Sequence, residues 1–153
     1  MYGVHKTLYA SGFLFHIPSQ QILLQQKQSI SPVTTTSWVL FEKQYSKDKK
    51  PEDVFKGVLS KILNLDVNSL NKIYSYNINP AKIYSLFYAT IDELKEFAPS
   101  QGYIFRWFSF KEVLKIRANE QTKHDIVVGQ RVIDALERDN DANLQKRIEE
   151  AIV

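Results

Sequence analysis

Two kinds of side chain cluster closely enough along this 153-residue chain to do chemistry. The first is carboxylate. Glu93 and Glu96 stand three apart in the segment DELKEF, and Glu42, Asp48, Glu52 and Asp53 form a looser set. Carboxylate oxygens are the ligands that hard divalent cations such as Mg²⁺ prefer. Neither set supplies the spaced pair on one rigid face that a two-metal site needs, and DELKEF reads first as a solvated acidic turn. The second kind is lysine. Lys43, Lys47, Lys49, Lys50, Lys56 and Lys61 outnumber Asp48, Glu52 and Asp53 over residues 43–61, a net +3 that equals the value for the whole chain. Ammonium groups can hold phosphate oxygens directly, although a charged run without a ligand is simply a solvated loop.

Other chemistries are excluded or left without a motif. The chain has no cysteine, so it has no disulfide framework, thiolate metal site or cysteine nucleophile. His5, His16 and His124 are too scattered for a zinc site, and His124 reads as a capping or packing residue before a late helix. Five unclustered glycines make no phosphate-binding loop. Twenty basic residues against 17 acidic ones, without an RNP-type aromatic motif, give no expectation of specific nucleic-acid binding. No apolar run approaches the ~20 residues of a membrane span, so a cytoplasmic, membrane-free protein is expected.

The elements that would position these groups follow from periodicity. Phe13, Phe15 and Ile17 alternate with Leu14 and His16, Pro18-Ser19 breaks the run, and Ile22-Leu23-Leu24 restarts it. This predicts two strands joined by a turn. A short apolar run at Trp38–Phe41 leads into a charged loop over 42–50. Pro51 opens the clearest helix, with Glu52 and Asp53 at its positive end and apolar pairs at Val54-Phe55, Val58-Leu59 and Ile62-Leu63. Strands are expected at Ile73–Tyr76, Ile83–Ala89 and Tyr103–Phe108. A short helix from Phe110 to Ile116 behind a Ser109 cap and a longer one from about Asp125 to Glu137 complete the body. The tail carries Leu144, Ile148 and Ile152 at i, i+4 and i+8, an amphipathic helix expected to dock on the sheet, with a dimer seam as the alternative.

Three segments resemble the Nudix hydrolase family over about Thr7 to Leu136. Trp38-x-Leu40 stands where the family's strand enters its signature loop, Lys50-Pro51-Glu52-Asp53 is similar to the "ETPEEAA" helix start, and the stretch from Arg106 to Val113 is similar to "RWFSLDEL". The resemblance implies an α/β fold, a Nudix-type α/β/α sandwich with a mixed sheet, over 1–138, followed by the C-terminal helical tail at 139–153. The signature G-x5-E-x7-R-E-U-x-E-E-x-G-U, with U apolar, falls on residues 43–65. Only its apolar positions are met, by Leu59 and Leu65. Lys43 and Asn64 replace the glycines, Lys49 the first glutamate, Gly57 the arginine, and Val58, Lys61 and Ile62 the remaining glutamates.

Those glutamates would hold Mg²⁺ or Mn²⁺, which valine, isoleucine and lysine cannot do. The resemblance therefore implies a degenerate domain without cofactor, in which Lys43, Lys49 and Lys61 face the former metal and phosphate pocket. The leading expectation is a non-catalytic binder of a phosphorylated small molecule, such as a nucleotide, or of a protein partner. A diphosphate-cleaving hydrolase using Mg²⁺ or Mn²⁺ relocated to Glu93 and Glu96, or to the 42–53 loop, is one alternative. The other is a structural or interaction protein, a homodimer included, with Val58 and Ile62 in an exposed apolar patch.

Overall fold

The structure, a computed structural model, describes residues 6–28 and 36–152. His5 lies outside them. Strands β1 (Thr7–His16) and β2 (Gln21–Lys27) are the expected pair across Pro18-Ser19, and β3 (Trp38–Val39) and β4 (Phe41–Tyr45) follow. Helix α1 (Pro51–Leu63) precedes β5 (Asn71–Ile78), β6 (Lys82–Ile91) and β7 (Tyr103–Ser109). The chain closes with α2 (Phe110–Val113) and α3 (Glu120–Ile152).

The strands form one mixed sheet in the order β3-β2-β1-β6-β5, with β4 on β1 and β7 on β2. Along one edge β1 pairs in parallel with β6 over its whole length, from Thr7–Lys82 to His16–Ile91. Its other edge is shared: Leu8 to Gly12 pair with β4, and Leu14 to His16 pair with β2. Alternation along β1 gives each face of the sheet its own core. Ala10 and Leu14 pack with Phe41, Phe87 and the α1 residues Phe55, Val58 and Leu59. Phe13 and Phe15 pack with Leu86, Tyr88, Phe108 and the α3 residues Ile126 and Ile133. Helices thus cover both faces, which is the α/β/α sandwich.

The helix ends obey local chemistry. Pro51 begins α1 and the first-turn acids Glu52 and Asp53 complement its dipole. Asn64 ends it in the left-handed region at φ 52°, ψ 42°. This is where the signature carries its last glycine, and asparagine is the side chain that enters this region at least cost. Ser109 accepts from the Glu112 backbone N–H while the Glu112 carboxylate accepts from that of Ser109, a reciprocal cap on α2.

Four expectations change. The loop over 42–50 is a strand as far as Tyr45, because β1 offers it a free edge between Leu8 and Gly12. The short helix stops at Val113 rather than Ile116. The late helix and the tail are one 33-residue helix, and every described residue from Asp139 onward is exposed. Leu144, Ile148 and Ile152 therefore do not dock on the sheet: α3 reaches its core at Thr122, Asp125, Ile126, Gly129 and Ile133, and the exposed stripe lies beyond those contacts. Val58 is 4% exposed and belongs to the core under α1, so it contributes no surface patch.

Two glycines mark opposite uses of a missing Cβ. At Gly129 a Cβ would lie 2.9 Å from the Phe13 ring and 3.2 Å from Ile73, where α3 presses on the sheet. At Gly57 it would meet nothing within 4 Å. In urea unfolding, Gly129→Val should lose about 1–3 kcal/mol to overpacking, and Gly57→Ala, on an open helix face, should gain about 0.5–1 kcal/mol. Equal effects of the two variants would contradict this assignment of close approach.

Candidate functional site

The chain leaves β3 at Val39, paired with Gln25 of β2, and enters β4 at Phe41, paired with Gly12 of β1. Leu40 is the single residue that crosses between these two neighbours. A cavity of about 380 Å³ opens at this crossing, within the ~300–1,000 Å³ usual for small-molecule pockets. Ser11, Gln25, Leu40 and Glu42 form its floor side, Tyr76 and Tyr84 one wall, and Asn119, Gln121, Thr122 and Asp125 at the start of α3 the other.

The tyrosine wall is part of a stack across three strands. Ring centroids lie 4.6 Å apart for Tyr9–Tyr84, 5.3 Å for Tyr84–Tyr76 and 4.9 Å for Tyr76–Tyr74, with interplanar angles of 11°, 7° and 25°. Alternation on paired strands puts these rings on the α3 face in register. Opposite them Asp125 is 4% exposed, a buried carboxylate that requires partners. Its Oδ1 accepts from Tyr74 (2.7 Å) and from Gln121 Nε2 (2.9 Å), and its Oδ2 from Tyr76 (2.9 Å). Burial, followed by the hydrogen bond and charge of Asp125, pushes both tyrosine hydroxyls well above their ordinary pKa, so they remain proton donors.

Glu42 lines the cavity from β4. It retains exposed surface, yet the protein atoms crowding its carboxyl raise its pKa, Asp125 adds to the rise, and Lys82 opposes it. Gln25 is 6% exposed; its Nε2 donates to the Leu40 carbonyl at 3.2 Å and its Oε1 has no partner.

Glu42 also borders a second, smaller cavity of about 180 Å³ with Lys43, Gly57, Val58, Lys61 and Ile62. Lys43 continues into a third hollow with Lys49, Lys50 and Asp53. Lys43 therefore shares one hollow with Lys61 and the next with Lys49, and the three do not share a single pocket. Glu93 and Glu96 lie elsewhere and are exposed; Glu96 borders a separate depression with Arg106 and Trp107. Trp107 Nε1 donates to the Lys95 carbonyl at 2.7 Å, which ties that segment to β7. Among the described residues no three His, Cys, Asp or Glu side chains converge as a metal site.

His16 is structural. Its Nε2 lies 3.1 Å from the Asp92 carbonyl and must donate there, leaving Nδ1 to accept from Ser19 Oγ at 2.6 Å. The ring thereby fastens the β1–β2 turn to the end of β6. His124 is exposed and lines none of the hollows described above.

Sequence reasoning passed over Asp125, Gln25 and the tyrosine wall. A signal for Asp125 was present: it shares the helical spacing of Thr122, Ile126, Gly129 and Ile133, which places a carboxylate on the buried face. The tyrosines offered only strand alternation, which serves a core equally well.

No family model and no curated protein matches the sequence. Solved structures do match. A mutT/nudix family protein from Listeria innocua has a TM-score of 0.62 at 13% identity, over 89% of this chain and 98% of that one. The NUDIX domain of Shewanella oneidensis NrtR, complexed with ADP ribose, has 0.63 at 12%, over 87% and 90%. The complex between the C-terminal domain of mouse MUTYH and human PCNA gives 0.64 at 13%, over 85% and 91%. Likeness at such low identity is likeness of fold, and on it this chain has a Nudix-like fold.

Proposed function

We propose that the protein is a binding module that holds a phosphorylated small molecule of the nucleotide kind without hydrolysing it. The observation that carries this reading is the composition of the hollow on α1. Lys43, Val58, Lys61 and Ile62 stand where the signature has its first glycine and last three glutamates, and they line the cavity that adjoins the tyrosine-walled pocket through Glu42. Lysines and aliphatic side chains do not fit a divalent cation. They do fit an anion, since ammonium groups meet phosphate oxygens in charge-assisted hydrogen bonds. A ligand with its head against the tyrosines and its phosphates over Lys43 and Lys61 would occupy both cavities. The NrtR domain in complex with ADP ribose supports the reading by example, as a protein of this fold that holds such a molecule.

A second reading, a protein-interaction domain, is favoured by the exposed Leu144, Ile148 and Ile152 stripe on α3 and by the MUTYH domain in complex with PCNA. The relocated hydrolase has no comparable support, since exposed Glu93 and Glu96 lack a third converging ligand among the described residues.

Calorimetric titration with ADP separates these readings. The expected result is binding that is unchanged by EDTA, with no phosphate released. Lys43→Ala/Lys61→Ala should weaken it by tenfold or more, and adenosine, which has no phosphate, should bind both proteins equally. Mg²⁺-dependent phosphate release would overturn the non-catalytic reading.

Glu42 gives a pH test of the same junction. Its raised pKa means that the fold favours the neutral carboxyl, whose stabilisation is complete below the ordinary value near 4.5 and is lost as pH rises through the higher native value. Glu42→Gln, permanently neutral, should therefore melt above the parent at about pH 7, and the difference should vanish by about pH 4. A Tm difference independent of pH would show that crowding at Glu42 acts on shape rather than on charge.

A further inference from the structure

We infer that the tyrosine-walled pocket takes the ammonium group of its ligand, so that the molecule held is a phosphorylated amine with its cationic end beside Glu42 and its phosphates on Lys43 and Lys61. This rests on the reading that the hollow on α1 holds phosphate. The first ground is formal charge. Glu42 and Asp125 both line the pocket, and none of its described lining residues is Lys, Arg or His. The neutral polar groups there, Asn119, Thr122 and Tyr103 among them, serve a donor or an acceptor equally and leave the sign of the charge unchanged. Burial raises the pKa of Glu42 and Asp125 raises it further, as for a carboxylate whose charge is poorly compensated. Lys82 opposes the rise by less than Asp125 adds, is exposed, and is not among the described lining. Asp125 acts by its field rather than by contact, because Tyr74, Tyr76 and Gln121 already donate to its oxygens. Glu42 is the carboxylate left to meet a cation.

The second ground is that the tyrosine wall spends its stacking on itself. Tyr84 is held between Tyr9 and Tyr76, one on each neighbouring strand, and Tyr76 is also stacked on Tyr74. Tyr84 has no open face for a flat base, so charge rather than stacking is what this wall leaves for a ligand. The third ground is the order of charges across β4. Pairing with Ser11 sets Glu42 on the α3 face of the sheet, and pairing with Ala10 sets Lys43 on the α1 face. Among the described strands β4 pairs only with β1, which leaves its outer edge open, and Glu42 borders the cavity on either side. A ligand passing over that edge meets negative charge and then positive. An ammonium joined by a short arm to a phosphate presents the matching sequence and makes charge-assisted bonds at both ends. A neutral head would take water from Glu42 and return no charge.

Two diphosphate diesters that share a cytidine end and differ at the other provide the test: CDP-ethanolamine carries an ammonium there, and CDP-glycerol carries neutral hydroxyls. In calorimetric titration the wild-type protein should bind CDP-ethanolamine at least roughly tenfold more tightly, the size of one charge-assisted hydrogen bond. Glu42→Gln, which keeps the shape and removes the charge, should reduce that ratio to about threefold or less. Lys43→Ala/Lys61→Ala should weaken both diesters alike. Binding of the two within about threefold in the wild type, or a ratio that Glu42→Gln leaves unchanged, would overturn this inference and leave the phosphate-binding reading intact. No binding of either diester would overturn both.

Discussion

The structure depends on β1 changing partners half-way along one edge. Its other edge is committed to β6 over ten residues, and that ladder holds the sheet together. On the shared edge, β4 takes Leu8 to Gly12 and β2 takes Leu14 to His16. Gly12 sits at the changeover, buried against the Phe87 backbone and the Phe55 ring, with no room for a Cβ. Two strands that leave the same edge must diverge, and Leu40 crosses the gap between them. The pocket is the space that this divergence opens, so its position follows from strand pairing and does not depend on a mobile loop.

What fills the rim of that gap is a division of charge. On the α3 side are Glu42 and Asp125; on the α1 side are Lys43 and Lys61. Asp125 does structural work as well, because its hydrogen bonds from Tyr74 and Tyr76 join the first turns of α3 to β5, and a third, from Gln121, stays within α3. Removing such a carboxylate leaves buried donors unpaired, so the same residue that lines the pocket also fastens one layer of the sandwich to the next.

The sequence made some of this legible and concealed the rest for physical reasons. Helix α1 could be read nearly to the residue, since Pro51, the first-turn acids and the apolar pairs are local signals acting together. The turn at Pro18-Ser19 and the Ser109 cap were local too. Strand β4 was hidden because Glu42, Lys43 and Gln44 are all exposed and only Phe41 is buried, so hydropathy did not alternate. The unbroken course of α3 was hidden because its apolar residues thin out after Ile133 while its backbone carries on. Lys43, Lys49 and Lys61 could be placed from the signature register, but their division between two hollows depends on the path of β4. The place of Gln25 could not have been read at all, since its bond to the Leu40 carbonyl depends on where β3 hands over to β4.

The parallel pairing of β1 with β6 also bears on how the chain comes to be folded. Thr7 pairs with Lys82 and His16 with Ile91, partners roughly seventy-five residues apart. At ribosomal speeds of ~5–20 residues per second, β1 waits about 4–15 s for its partner strand to be made. During that interval Phe13 and Phe15 have no second layer, since α3 is still to be made, whereas α1 is already available to Leu14 and β4 to the lower half of the strand. Contacts of this separation are slow to form, since loop closure is paid for before any pairing is gained. The nascent chain therefore exposes unpaired β1 until β6 has left the ribosome, and protection by a chaperone would matter most up to that point.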